Sequence, residues 1–270
     1  MPQDFAFKDR YTIDDLLEIM KLLRSPGGCP WDREQDHHTI RRNLIEEAYE
    51  AVEAIDLEDR DALCEELGDV LLQVVFHSRM AQEAGEFTFD DVCNGVCRKL
   101  IERHPHVFGE IKVDDADEVL RNWEAIKQKS KKQDTATETL QAVPKVFPAL
   151  MRAQKVQKRA AKAGLDWEEI GGVLAKLEEE CAEFRQACDE GAADRMAEEM
   201  GDVLFAAVNV SRFAHIDAED ALQGATEKFI RRFARVEKMA AERGLEMKQT
   251  SPSELDDLWN QAKELEKGTE

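Results

Sequence analysis

The sequence predicts an all-α protein built of two tandem helical bundles. Apolar residues recur at helical spacing along nearly the whole chain, with the few Pro and Gly mostly between the periodic segments. No segment sustains the apolar–polar alternation of a half-buried strand. A pattern of four acids, Glu47, Glu50, Glu66 and Asp69, recurs 133 residues later and without a gap as Glu180, Glu183, Glu199 and Asp202.

Taken in order, Thr12 followed by Asp14 and Asp15 reads as a helix start, and Ser25-Pro26-Gly27-Gly28 as its end. Helices are then expected over about 37–57, 61–84, 89–103 and 115–132. The polar stretch from Lys131 to Pro148 is rich in Thr and Gln and carries Pro144 and Pro148, so it is the expected linker. The domains are thus expected at 1–132 and 149–270, joined by 133–148. Second-half helices are expected over about 149–163, 168–189, 193–214, 217–243 and 252–267. The chain's 270 residues would suit one large domain or two smaller ones, and the repeat favours two.

A net charge of −21 argues against DNA or RNA as the main partner, because binding a phosphate backbone needs a basic face. It leaves nucleotides open, since a bound Mg²⁺ reverses the local field. No apolar run approaches the roughly 20 residues that span a bilayer. The acidic start, Met1-Pro2-Gln3-Asp4, is unlike a secretory signal, so a cytoplasmic protein without a membrane partner is expected. The six cysteines match no zinc-site spacing and are expected to be reduced, buried thiols.

At 100° per residue, Leu63, Leu67, Val70, Leu71 and Val74 form one apolar stripe with Glu66 and Asp69 off its edge. Leu44, Ala48, Ala51 and Ile55 form a facing stripe with Glu47 and Glu50 off its edge. The second half repeats the layout with Met196, Met200, Val203, Leu204 and Ala207 against Leu177, Cys181, Phe184 and Cys188. Short connections make each helix pair antiparallel, so packing the stripes is expected to gather the acids at the rim of a bundle.

Acids beside an apolar stripe are ordinary on a solvated helix, and one copy in a chain that is 35% charged would mean little. Repetition of all four identities, together with Gly68 and Gly201, points instead to a cation site. A helical Gly costs about 1 kcal/mol against Ala, so its recurrence beside each Asp suggests close approach of a backbone or ligand. Two like charges about 4 Å apart repel by about 4 kcal/mol at an effective dielectric near 20, so the acids call for a counter-ion. All-oxygen donors suit Mg²⁺ or Mn²⁺ rather than zinc, and neither copy has the Glu-x-x-His pair of a di-iron bundle. Hard cations on carboxylates in turn suggest phosphate chemistry.

A basic and aromatic set also recurs after the acids. Lys99 and Arg103 parallel Lys228 and Arg232, and Trp123 with Lys127 parallels Trp259 with Lys263. Lys and Arg at i, i+4 share a helical face and suit phosphate oxygens, while Trp offers a stacking face for a base.

With these residues the chain resembles the MazG family of nucleoside triphosphate pyrophosphohydrolases in its two-repeat form. The resemblance is carried by Glu-Glu-x-x-Glu followed by Glu-x-x-Asp in each half, by Cys29-Pro30-Trp31-Asp32-Arg33-Glu34-Gln35, and by Arg103-His104-Pro105-His106-Val107-Phe108-Gly109. It implies a dimeric all-α bundle, Mg²⁺ dependence, and hydrolysis of NTPs and dNTPs to NMP and pyrophosphate, which would clear unwanted nucleotides. Carried over residue by residue, it makes Glu180, Glu183, Glu199 and Asp202 metal ligands, with Glu47, Glu50, Glu66 and Asp69 their first-half counterparts. It makes Lys228 and Arg232 a phosphate-binding pair, and Trp259 with Lys263 a nucleotide-contacting segment. Lys176 to Glu180 (Glu179 among them) and Arg195 to Glu198 border the site, although Arg195 stands where the family has Lys.

The C-terminal repeat is expected to be the main hydrolase, from the family's tendency and because Arg231 and Arg232 stand where the first half has Glu102 and Arg103. The expected reaction is attack of a metal-activated water on the α-phosphorus, with Glu179 or Glu199 taking the proton; the sequence leaves that choice open. A non-catalytic helical regulator sensing nucleotide or metal is the alternative, and an NTPase releasing orthophosphate a third possibility.

Overall fold

The computed structural model describes residues 5–109, 115, 118–119, 122–123, 126 and 135–267. All regular structure among them is helical, with no strand. The chain divides into two compact units, Met1–Lys131 and Lys132–Glu270.

In the first unit, α1 (Ile13–Arg24) starts where Thr12 donates its backbone N–H to the Asp15 carboxylate at 2.9 Å. It ends at Ser25, and Gly27 follows with φ +92°. A side chain at Gly28 would collide with the Leu22 and Leu23 carbonyls, so the turn after α1 needs Gly there. A short α2 (Pro30–Glu34) precedes α3 (Asn43–Asp56). Helix had been expected from about residue 37, but the Asp36 carboxylate accepts the N–H groups of His38 and Thr39 at 2.7 and 2.8 Å. That local side-chain competition turns the chain before α3 can begin. Asp59 caps α4 (Arg60–Glu83), and a Thr88–Asp91 capping box opens α5 (Phe89–Arg103), which leads to α6 (Pro105–Phe108). The helix expected at 115–132 lies mostly outside the described residues.

Helix α4 is the spine of this unit, with α1, α3 and α5 packed on it. Its core joins Met20, Ile40, Val75, Phe76 and Met80.

In the second unit, α7 (Ala136–Gln141) lies inside the segment read from sequence as a linker; Thr135 and Glu138 form its capping box, and it packs on α8 (Ala149–Lys162). Helix α9 (Ile170–Glu190) ends at Gly191 in the left-handed conformation, φ +66°, and α10 (Ala193–Phe213) returns antiparallel to it. Then α11 (Ala218–Glu242), capped by Asp217, packs against α12 (Pro252–Lys267) through Val236, Ala240, Leu258 and Ala262. Helix α8 contacts both α10 and α11.

The helix pairs meet only in part on the stripes expected from sequence: Ala51 is buried and Leu63, Val70, Val74, Leu177, Phe184, Met196, Val203 and Ala207 are half-buried. On α3 the buried positions are Ala51 and Ala54, with Glu47 half-buried on the same line, whereas Leu44 and Ile55 are exposed. On α4, Leu67 is 55% exposed and Leu71 also faces outward; Met200 and Leu204 do the same on α10. Small residues let the paired helices close beside Glu47 and Glu180, so Glu180 is buried in the seam, while Glu50, Glu183 and Asp202 stay exposed at its rim as expected. The bulky stripe is left over as an exposed apolar face. The expectation that the cysteines are buried fails. Cys64, Cys97, Cys181 and Cys188 are exposed and Cys29 and Cys93 half-buried, all free thiols.

Candidate metal centre

In the second unit, Glu180 comes from α9, and Glu199 and Asp202 from successive turns of α10. One oxygen from each lies within 4.8 Å of the other two. Glu180 is 8% exposed. Glu183, one turn on from Glu180, stands outside that trio and is exposed. Its carboxyl is pushed up from the ordinary range, first by loss of hydration and then by the charges of Glu180 and Glu199.

Two cations flank the trio. The Lys176 ammonium donates to Glu179 and Glu180 at 2.8 Å each, which holds its proton more firmly than in water. Arg195 donates to Glu199 at 3.3 Å and also pairs with Glu190. Repulsion among the acids is thus partly offset by the chain itself.

The first unit repeats the acids without the cations. Glu47, Glu66 and Asp69 bring oxygens within 4.8 Å of one another, and Glu50 shares a hydrogen bond with Glu66. At the positions matching Lys176 and Arg195 stand Asn43 and Ala62. No ion pair to these acids is present among the described residues. Loss of hydration, then the charges of Asp69 and Glu50, push the Glu47 carboxyl up; loss of hydration, then Glu50 and Asp69, do the same to Glu66.

This asymmetry has a measurable consequence. The metal-free folded chain holds the Glu47 and Glu66 protons more tightly than the unfolded chain does. That stabilisation is complete below the unfolded carboxylate range and is lost as pH rises through the raised folded value. In EDTA at neutral pH, Glu47→Gln is therefore expected to melt above wild type, with the difference closing below about pH 4. Glu180→Gln, which gives up a Lys176 ion pair, should show no such gain. A Glu47→Gln protein melting below wild type at neutral pH contradicts this account.

The all-oxygen, multiply anionic donor sets fit a hard divalent cation such as Mg²⁺. Gly68 and Gly201 do not meet the close backbone approach expected of them, because a Cβ built on either has no atom within 4 Å.

The structure gathers the repeated basic and aromatic residues separately from the acids. Arg232 binds Glu266 at 2.5 Å and lies 5.9 Å from the Trp259 ring, which packs on Phe229. Lys228 and Arg231 are exposed on α11, and Lys263 is half-buried on α12. Neither α11 nor α12 packs on α9. The first unit repeats the pairing, with Arg103 4.9 Å over Trp123 and Lys99 exposed on α5; Lys127 lies outside the described residues. Glu198 is exposed on α10.

Sequence reasoning missed a cavity of about 430 Å³ beside the second trio, whose walls include Lys176, Glu180 and Asp202 together with Gln157, Trp167 and Asn209. The available signal was Asn209, a polar residue flanked by Val208 and Val210 on a core-facing helix.

Comparison with known proteins gives a consistent family. The MazG nucleotide pyrophosphohydrolase domain is matched twice, at residues 35–108 and 169–236. The nucleoside triphosphate pyrophosphohydrolase of Escherichia coli (strain K12) is 47% identical over 257 residues, covering 94% of this chain and 98% of that protein. The nucleoside triphosphate pyrophosphohydrolase/pyrophosphatase MazG of Thermotoga maritima is 44% identical over 250 residues, covering 93% and 95%.

Proposed function

The chain belongs to the MazG family, and from that premise we propose that it hydrolyses nucleoside triphosphates to nucleoside monophosphate and pyrophosphate, mainly in its second unit. The observation that carries this is the trio Glu180, Glu199 and Asp202, converging within 4.8 Å between two cationic side chains. Those acids, with Glu183 beside them, would hold Mg²⁺, and Mn²⁺ would serve in its place. The cation would neutralise phosphate charge and lower the pKa of an attacking water.

The chain's own residues supply the rest. Lys176 and Arg195, now turned onto carboxylates, exchange those partners for the oxygens of an arriving triphosphate. They then oppose the charge that builds as the α-phosphorus is attacked and pyrophosphate leaves. Glu179 is the better placed of the two candidate bases. It is exposed and held by Lys176 alone, whereas Glu199 belongs to the metal-binding trio. The first unit is proposed as a cation site of lesser catalytic weight, since Asn43 and Ala62 leave it without the flanking cations. The basic–aromatic cluster of Lys228, Arg231, Arg232, Trp259 and Lys263 is proposed to close on the nucleotide from α11 and α12, once Glu266 releases Arg232.

The exposed apolar face of Leu67 and Leu71, and of Met200 and Leu204, is proposed to pair with a second copy of the chain. Light scattering should then give the mass of a dimer, and a monomer at micromolar concentration contradicts it. No described helix is long and apolar enough to cross a membrane. With a nucleotide substrate and a net charge of −21, the proposed setting is the cytoplasm, without nucleic acid or membrane partners.

Product analysis tests the function. Incubated with Mg²⁺, several NTPs should each yield NMP and pyrophosphate. NDP and orthophosphate would mark a different NTPase, and binding without turnover would mark a nucleotide-sensing regulator.

A further inference from the structure

A single carboxylate answers a row of cations between α11 and α12. Lys228, Arg231, Arg232 and Arg235 stand at i, i+3, i+4 and i+7 on one face of α11, in a chain whose net charge is −21. From α12, Glu266 Oε2 accepts from Arg232 Nε at 2.5 Å, while Glu266 Oε1 lies 3.6 Å from Arg235 Nη1. That second contact is an ion pair beyond hydrogen-bond reach, and Arg235 Nη1 is buried with no hydrogen-bond partner. Buried donors are nearly always paired, so the arginines are set for something that serves them better than one Glu does.

Charge holds Glu266 in this position. Its carboxyl stays below the ordinary range, first through the hydrogen bond from Arg232; loss of hydration opposes this, and the charges of Arg232, Arg235 and Arg231 add to it. Trp259, Lys263 and Glu266 stand at i, i+4 and i+7 of α12, and Arg232 lies 5.9 Å from the Trp259 ring. A carboxylate offers two oxygens much as one edge of a phosphate does. A phosphate brings a third oxygen and more charge, so it can serve Arg232 and reach Arg235 Nη1 at the same time.

The first unit supplies the contrast. Arg103 matches Arg232 and lies 4.9 Å over Trp123, yet its Nε is buried with no hydrogen-bond partner. In sequence, Glu102 and His106 stand where the second unit has Arg231 and Arg235. Counted from the two tryptophans, the residue matching Glu266 is Ser130. The added arginines and the carboxylate set between them belong to the second repeat.

We propose that Arg235 joins Arg232 in binding the pyrophosphate end of the substrate, and that Glu266 competes for both arginines by standing where a phosphate would. This deepens the hydrolase reading and rests on it, because Lys228 and Arg232 are there proposed to face the nucleotide. Glu266 keeps like-charged guanidinium groups together while no phosphate is bound, at some cost in affinity for the one that arrives.

The test titrates pyrophosphate into the full-length protein stripped of metal. Glu266→Gln keeps the reach of the side chain and loses its charge, and it should bind pyrophosphate about tenfold more tightly than wild type. With Mg²⁺ and ATP, the same change should lower KM by a similar factor, the effect falling on KM rather than kcat. Adding Arg235→Met, which keeps the stem and removes the fork, should cancel most of the gain; a gain that survives whole overturns the role of Arg235. Unchanged or weaker pyrophosphate binding by Glu266→Gln, in protein that circular dichroism shows to be folded, would mean that the carboxylate only braces Arg232, and overturns the competition. If Glu266→Gln misfolds, Glu266→Asp replaces it, and its shorter reach should tighten pyrophosphate binding in the same direction. Tighter binding by Glu266→Gln with no NTP cleaved by wild type would leave the competition standing while the hydrolase function fails.

Discussion

Asp202→Ala is expected to lower Mg²⁺-dependent pyrophosphate release by about 10²–10³-fold, and Glu180→Ala to do the same. Each change removes one of three oxygens held within 4.8 Å and leaves two acids to gather a cation alone. Glu180→Ala also frees Lys176 from one of its two carboxylates, so part of its loss should appear as a changed KM rather than kcat. Asp69→Ala, in the unit without flanking cations, should cost far less. Initial rates of pyrophosphate release for the three variants decide this. Turnover that dies with Asp69→Ala and survives Asp202→Ala would move catalysis to the first unit.

The double variant Lys176→Met, Arg195→Met should lose about 10²-fold in kcat/KM or more, because both cations that face the phosphates are gone. Its metal response separates charge from scaffolding. With nothing left to offset Glu180 and Glu199, the metal-free protein should melt lower than wild type, and saturating Mg²⁺ should restore more stability to it than to wild type. Thermal melts with and without Mg²⁺ read this directly. A double variant with unimpaired kcat/KM would show that these side chains only neutralise the empty trio.

The helices and the acid trios were legible in the sequence because both are written in local spacing. Apolar periodicity set the helices, Thr12 with Asp14 and Asp15 marked the first start, and the 133-residue repeat placed the same acids on both helix pairs. What periodicity could not say is which neighbour covers which face. The bulky stripe with Leu67 and Leu204 looked like the helix–helix contact, yet the helices close beside Ala51, Ala54 and Glu180. An apolar face reports that something covers it, not that the adjacent helix does. The exposure of Cys64, Cys181 and Cys188 on those helices follows from the same point.

The flanking cations illustrate a second limit. Lys176 and Arg195 were reached through family resemblance, while their pairing with Glu180 and Glu199 depends on side-chain geometry that spacing does not fix. Gln157, Trp167 and Asn209 come from three separate segments, and only folding brings them to one cavity. The start of α3 slipped because Asp36 and Thr39 offer the backbone a local alternative to helix.

Hydrolysis in heavy-oxygen water tests the central claim most directly. With Mg²⁺ and a nucleoside triphosphate, mass spectrometry should find the solvent oxygen in the nucleoside monophosphate and none in the pyrophosphate, and Asp202→Ala should lower the rate of labelled product by about 10²–10³-fold. Label in the pyrophosphate, or products of NDP and orthophosphate, would contradict attack at the α-phosphorus and with it the role assigned to the acids of α9 and α10.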